Sequence, residues 1–113
     1  DMKKIEAIVR PEKVDEVRKA LEKAGYPGVT ISEVEGHGKQ KGVTRQWRGE
    51  SYKVDLLPKG KLEIVVSDKD ADRLVSTIVS TAKTGSVGDG KIFVSEVKEV
   101  VRIRTGERGE EAL

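Results

Sequence analysis

Apolar residues recur along this chain at two different periods. Lys3 to Arg10 carries Ile5, Ala7, Ile8 and Val9, a short β-prone run that Pro11 stops. Pro11 also suits the first turn of a helix, and from Glu12 onward Val14, Val17, Ala20, Leu21 and Ala24 are spaced to line one helical face. Gly25 stands where that helix wants a left-handed cap. Val29, Ile31 and the stretch to Glu35 predict a second strand, and Leu62, Ile64, Val65 and Val66 a third over Lys61 to Ser67. Ser67 and Asp70 then make a capping-box-like start, with aspartate in place of the usual Glu or Gln. Ala71, Leu74, Val75, Ile78, Val79 and Ala82 follow at helical spacing, ending at Gly85. Two more strand-like runs, Lys91 to Val97 and Val100 to Arg104, precede a polar tail.

The order is strand, helix, strand, repeated once, and an offset of 57 residues sharpens it. Glu6 falls on Glu63, Val9 on Val66 and Asp15 on Asp72, while Ala7, Ile8, Val14, Val17 and Leu21 fall on Ile64, Val65, Ala71, Leu74 and Ile78. A doubled βαβ unit predicts an α+β, ferredoxin-like double βαβ sandwich, an antiparallel sheet backed by two helices. At 113 residues the chain has room for one such domain. It is taken as a single unit over residues 2–113.

Composition narrows the chemistry. Only Tyr26, Trp47, Tyr52 and Phe93 are aromatic, so the core is aliphatic. The absence of Cys excludes disulfides, thiolate metal sites and a Cys nucleophile, and the single His37 excludes a multi-histidine metal cage. No apolar run approaches the length of a transmembrane helix and no signal-peptide pattern opens the chain, so a cytoplasmic protein is expected.

The net charge of +2 is unevenly placed. Gly36 to Lys61 carries Lys39, Lys41, Arg45, Arg48, Lys53, Lys59 and Lys61 against Glu50 and Asp55, a net of +5, which leaves −3 for the remainder. The segment is longer than ordinary connections, holds five of the 12 glycines, and places Trp47 and Tyr52 where a core has no use for them. Gly, Arg and Trp together favour a binding arm over a merely solvated hairpin, suited to an acidic protein surface, nucleic acid or a phosphate-bearing ligand.

Thr84 to Ile92 is rich in glycine. Gly85, Gly90 and Lys91 match the start of a Walker A pattern, but Ile92 stands where Mg²⁺ needs Ser or Thr. The loop also follows a helix and leads into a strand, the reverse of a P-loop, so a P-loop NTPase is excluded. A loop with free amides and one lysine is still fit to hold phosphate oxygens. Arg102 and Arg104, two apart on the expected last strand, would face one side and complete an anion site.

These residues carry a family resemblance over nearly the whole chain. Lys3-Lys4-Ile5-Glu6-Ala7-Ile8 looks like the opening strand of the PII nitrogen-regulatory signal-transduction proteins. Gly36 to Lys41 resembles the base of that family's long arm, the T-loop (here about residues 37–56). Arg48-Gly49-Glu50-Ser51-Tyr52 and Val54 to Lys59 resemble its tip and returning stem. Thr84 to Val94 is similar to the C-terminal signature, and Arg102-Ile103-Arg104-Thr105-Gly106 to the ending, before a tail of about 105–113.

The resemblance implies a non-enzymatic reporter of nitrogen and energy status. It implies a homotrimer in which ATP and ADP compete for clefts between subunits. By that analogy Gly36, Gly38, Lys39, Gln40, Gly88, Asp89, Gly90 and Lys91 serve the nucleotide, Arg102 and Arg104 join its phosphates, and Thr30, Glu63 and Val65 lie near adenine and ribose. Gln40 would bind Mg²⁺ bridging ATP and 2-oxoglutarate, and Lys59 would pair with a carboxylate of that acid. The arm would engage a target. An ammonium transporter is the leading candidate, bringing the protein reversibly to the membrane, with Arg48 matching the pore-blocking arginine and Trp47 and Tyr52 beside it. Metabolic enzymes and transcriptional regulators are the alternative targets. Tyr52 aligns with a tyrosine that some bacteria uridylylate, but Glu50-Ser51 departs from the family's small-residue-then-glutamate pattern, and Glu50 replaces the cyanobacterial phosphoserine position. Regulation by ligands, not covalent change, is therefore expected. Lys39 for the common arginine turns a fork into a point charge.

Two other classes compete. A nucleic-acid-binding ferredoxin-like module would stack bases on strand aromatics, and only Phe93 sits on an expected strand, so no nucleic acid is expected. A phosphate-ester or acyl-phosphate hydrolase would need a positioned base, and the chain offers no histidine pair.

Overall fold

Alternation of apolar and polar residues builds a four-stranded antiparallel sheet in which Glu50–Ser67 lies between Thr30–Trp47 and Met2–Val9, and Lys91–Val97 pairs with the other side of Met2–Val9. The computed structural model describes the backbone of residues 1–47 and 50–113 and the side chains of residues 1–35 and 58–113. In chain order the elements are β1 (Met2–Val9), a 3₁₀ turn (Pro11–Lys13), α1 (Val14–Lys23), β2 (Thr30–Trp47), β3 (Glu50–Ser67), α2 (Asp68–Ala82), β4 (Lys91–Val97) and a second 3₁₀ turn (Gly109–Ala112). This is the expected ferredoxin-like double βαβ arrangement. The sequence repeat has a direct structural meaning, because β1 and β3 pair with Glu6 opposite Glu63. The two halves are thus related about the centre of the sheet.

One face of the sheet is covered. Ile5, Ala7 and Val9 of β1 and Leu62, Ile64 and Val66 of β3 meet Val17 and Leu21 of α1 and Leu74 and Ile78 of α2, all buried. Each of these Val, Leu and Ile side chains contributes about 1.5–3 kcal/mol by leaving water. The alternate residues, Lys4, Glu6 and Ile8 on β1 and Lys61, Glu63 and Val65 on β3, point to the face that carries no helix.

Three local expectations change. The second and third strands run far beyond the apolar stretches that announced them, pairing from Thr30 opposite Glu63 to Trp47 opposite Glu50. The basic arm is therefore backbone-paired ribbon for most of its length, with a register shift between Gln40 and Arg45. Ladder hydrogen bonds need no apolar side chains, so alternation could not announce this. Second, Val100 to Arg104 is not a strand. An isolated bridge joins Val101 to Arg108, and Gly106 N–H donates to the Arg102 carbonyl at 2.8 Å, which turns the chain back on itself. Third, Ser67 occupies the N-cap of α2 but makes no side-chain cap; its hydroxyl donates to Glu110 instead.

Candidate ligand-binding site

The glycine loop is organised by one carboxylate. Asp89 accepts from the Thr84 and Gly85 amides, each at 2.9 Å, from the Thr84 hydroxyl at 2.5 Å and from Arg10 Nε at 3.0 Å. Thr84's hydrogen bonds, followed by those of Gly85 and Arg10, hold the Asp89 carboxyl well below the usual carboxylate range. Asp89 shapes the loop, with its oxygens turned inward to these donors. Arg10 also donates to the Val87 carbonyl at 2.9 Å, tying the end of β1 across the loop. Gly90 has a φ of 105°, and a Cβ there would lie 1.7 Å from the Ile8 carbonyl oxygen. Only glycine lets the loop lie this close to β1. Lys91 opens β4 opposite Ile8, exposed and on the uncovered side of the sheet.

Lys59, on the returning stem of the arm, donates to the Gly88 carbonyl at 2.8 Å. The base of the arm and the glycine loop are thereby joined at one end of the sheet. Thr30, Glu63 and Val65 lie further along the same strands, at the Glu6 and Lys4 rungs of β1, where they line a groove of about 280 Å³. From Lys59 to Val65 is six residues of strand, about 20 Å.

The Glu63 carboxylate is not free. It pairs with Lys4 at 3.1 Å and Lys61 at 3.1 Å, and the same lysines reach Glu6 at 3.2 and 3.3 Å, closing a four-membered ring on the uncovered face. Hydrogen bonds from Lys4 and Lys61 lower the Glu63 pKa. Its carboxylate is committed to this ring.

The predicted arginine pair is not a same-face pair. Because no strand forms there, alternation does not apply: Arg102 binds Glu107 at 2.6 Å and the Glu111 carbonyl at 3.2 Å, while Arg104 is exposed in the turn. The side chains of Lys39, Gln40, Trp47 and Tyr52, and all of Arg48, lie outside the described residues, and Gly36 and Gly38 are described only as backbone of β2. Sequence reasoning missed Arg10 and Thr84, whose contribution depends on a loop folding back over β1. It also missed Tyr26, whose hydroxyl donates to Asp70 and whose pKa burial raises first.

Known proteins place this arrangement. The family model "Nitrogen regulatory protein P-II" matches residues 2–107. The chain belongs to the PII family. Nitrogen regulatory protein P-II 2 of Methanothermobacter thermautotrophicus is 60% identical over 112 residues, covering 99% of this chain and 97% of the relative. Nitrogen regulatory protein P-II 1 of Escherichia coli is 55% identical over 112 residues, covering 99% and 100%. Among solved structures, Arabidopsis thaliana PII bound to citrate superposes with a TM-score of 0.82 at 43% identity, covering 99% of this chain and 92% of that one. The B. subtilis GlnK structure gives 0.81 at 42%, covering 99% and 98%. This PII chain is accordingly a nitrogen-regulatory signal-transduction protein. Among its described residues no helix is long and apolar enough to cross a membrane.

Proposed function

We propose that this PII protein senses energy and carbon–nitrogen status by binding ATP or ADP at the glycine loop, with Mg²⁺ and 2-oxoglutarate, and reports the result through its arm. The observation that carries the reading is the Lys59 hydrogen bond to Gly88, which links the arm's base to the loop that would hold phosphates. A dicarboxylate arriving at Lys59 competes with the Gly88 carbonyl for the same ammonium. Ligand occupancy is then felt by both loop and arm. Citrate on the Arabidopsis relative supports a polycarboxylate site in such proteins.

Gly88, Gly90 and Lys91 hold the phosphates through amides and one cation, with Arg10 and Asp89 keeping the loop in shape. Thr30, Glu63 and Val65 serve the base and ribose. Within one chain Lys91 stands at the Ile8 rung of the sheet and Glu63 and Val65 at the Glu6 and Lys4 rungs, about 7–13 Å along the strands; a homotrimer, as the family implies, would bring one copy's loop to another's groove. Among the described residues no group of three or more His, Asp or Glu side chains could hold a metal. Mg²⁺ would draw its oxygens from phosphate, the 2-oxoacid and the Gln40 amide, a donor set that fits its preference for few protein ligands. The metal would supply charge neutralisation between the two anions.

The arm, at +5, carries the state to a target, with an ammonium transporter the leading candidate through Arg48, Trp47 and Tyr52, and the protein recruited reversibly to the membrane. Metabolic enzymes and transcriptional regulators are the alternative. Calorimetry tests the reading: ATP affinity should rise when Mg²⁺ and 2-oxoglutarate are both present, and 2-oxoglutarate affinity should rise equally with ATP. Lys59→Met should remove that mutual tightening and leave ATP alone binding. Absence of tightening in the unsubstituted protein overturns the proposal. Pull-down from membranes with ADP against ATP plus 2-oxoglutarate tests the target.

A further inference from the structure

Beside the first turn of α1, at the root of the arm, lies a groove of about 270 Å³ on the helix-covered side of the sheet. Pro11 and Val14, from the start of the helix, and Ile31, Glu33, Pro58 and Gly60, from β2 and β3, line it. Strand alternation places the last four on one face, with Ile31 opposite buried Leu62, Glu33 opposite Gly60 and Glu35 opposite Pro58.

The groove is preformed. Pro11 and Pro58 have fixed φ, and Gly60 lies so near α1 that an added Cβ would stand 2.0 Å from Val14 Cγ2. Arg10, directly before Pro11, is held to Asp89 at 3.0 Å and to the Val87 carbonyl at 2.9 Å, which fixes that wall. Ile31 is 41% exposed, a large aliphatic side chain with surface still to cover. Small-molecule sites run to about 300–1,000 Å³. This groove falls below that range and suits one or two aliphatic side chains.

Charge narrows the occupant further. Glu33 stands on the rim, and Glu35 follows it on the same face of β2. Lys59 also borders the groove, but its ammonium is engaged by the Gly88 carbonyl at 2.8 Å. An apolar floor with an acidic rim complements an aliphatic residue followed by basic ones.

We propose that this groove is a docking notch for a partner protein. The partner inserts one aliphatic side chain among Pro11, Val14 and Ile31 and lays a flanking lysine or arginine against Glu33 and Glu35. The notch is on the opposite face of the sheet from the Lys4, Glu6, Lys61 and Glu63 ring, and it works without nucleotide. Because β2 and β3 continue outward as the arm, a partner seated here is held at the arm's root.

Methyl NMR on the full chain without nucleotide tests this, with the capped peptide acetyl-Gly-Leu-Lys-Arg-Gly-amide as probe. Saturable shifts are expected at the Val14 and Ile31 methyls. A peptide with serine for leucine should bind about tenfold more weakly, the loss of one apolar contact. One with two glutamates for Lys-Arg should bind about fivefold more weakly at low salt, and the gap should close as salt rises. Glu33→Lys should weaken the basic peptide about fivefold and spare the glutamate peptide. Ile31→Thr, which keeps a β-branched residue on the strand, should weaken both leucine peptides alike. Absence of shifts at Val14 and Ile31, or equal binding of the basic and glutamate peptides at low salt, overturns the proposal. So does n-butylammonium binding as tightly as the peptide, which would make the groove a small-amine site. Protection of the Ile31 methyl from a soluble paramagnetic agent in the peptide-free protein also overturns it, since a second copy would then cover the groove.

Discussion

Replacing Gly90 with alanine tests the geometry of the glycine loop most directly. The added Cβ would lie 1.7 Å from the Ile8 carbonyl oxygen and 2.8 Å from its carbon, where ordinary contact begins at 3.4 Å, so a gap of about 1.7 Å must open. Both sides of that gap are backbone, which cannot swing aside as a side chain can. A φ of 105° adds about 1–3 kcal/mol of strain for any residue with a Cβ. Opening the gap also disturbs the rung where Ile8 faces Lys91, at about 1 kcal/mol for a lost ladder hydrogen bond. A total loss of about 2–4 kcal/mol is expected, toward the severe end for one substitution. Gly85→Ala is the matched control: its φ is 89°, but nothing lies within 4 Å of its added Cβ, so only backbone strain of about 1–2 kcal/mol applies. Urea unfolding at one fixed protomer concentration reads both. If the two variants agree within about 0.5 kcal/mol, the close approach of loop and β1 is refuted.

Other expectations follow from named contacts. Asp89→Asn removes the anion that gathers Thr84, Gly85 and Arg10, so nucleotide affinity should fall in calorimetry. Because the folded Asp89 pKa is depressed, its contribution to stability is present above the ordinary aspartate value of about 3.9 and is lost as pH falls through the folded value. Asp89→Asn should therefore flatten the acid limb of a stability–pH curve below about pH 4; an unaltered limb would contradict the assignment. Glu63→Gln breaks two of the ring's four pairs, and the same sign argument places its effect on the acid side, from about pH 4.3 downward, with sensitivity to salt. Leu74→Ala leaves a hole between α2 and the sheet, and chemical unfolding should show a loss of about 2–5 kcal/mol.

Particular residues show what could be read in advance. The helical spacing of Val14, Val17 and Leu21, and of Ala71, Leu74 and Ile78, located both helices within a turn or so and named side chains that are buried or, for Val14, half-buried against the core. The offset pairing Glu6 with Glu63 anticipated a doubled unit. The arm's ribbon was not legible, since its basic, glycine-rich composition hides a ladder made by backbone alone. Val100 to Arg104 looked like a strand because β-prone residues alternate there, yet it is turned back by Gly106 and by Arg102's pairing with Glu107. Ser67 carried a genuine capping signal and sits at the cap, but Glu110, far along the chain, takes its hydroxyl.

The sequence by itself determined the order of the elements, the aliphatic core, the exclusion of cysteine and multi-histidine chemistry, and the motifs that mark the family. These depend on periodicity and residue type, which are local properties of the chain. Only the tertiary structure decided that Arg10 meets Asp89, that Lys59 reaches Gly88, that Lys4 and Lys61 neutralise Glu63, and that Leu113 walls the groove of Val65. Those meetings depend on strand register and on how the last residues fold back over the sheet. A shift of a single residue in register would reverse which face each side chain takes, and no local pattern specifies register by itself.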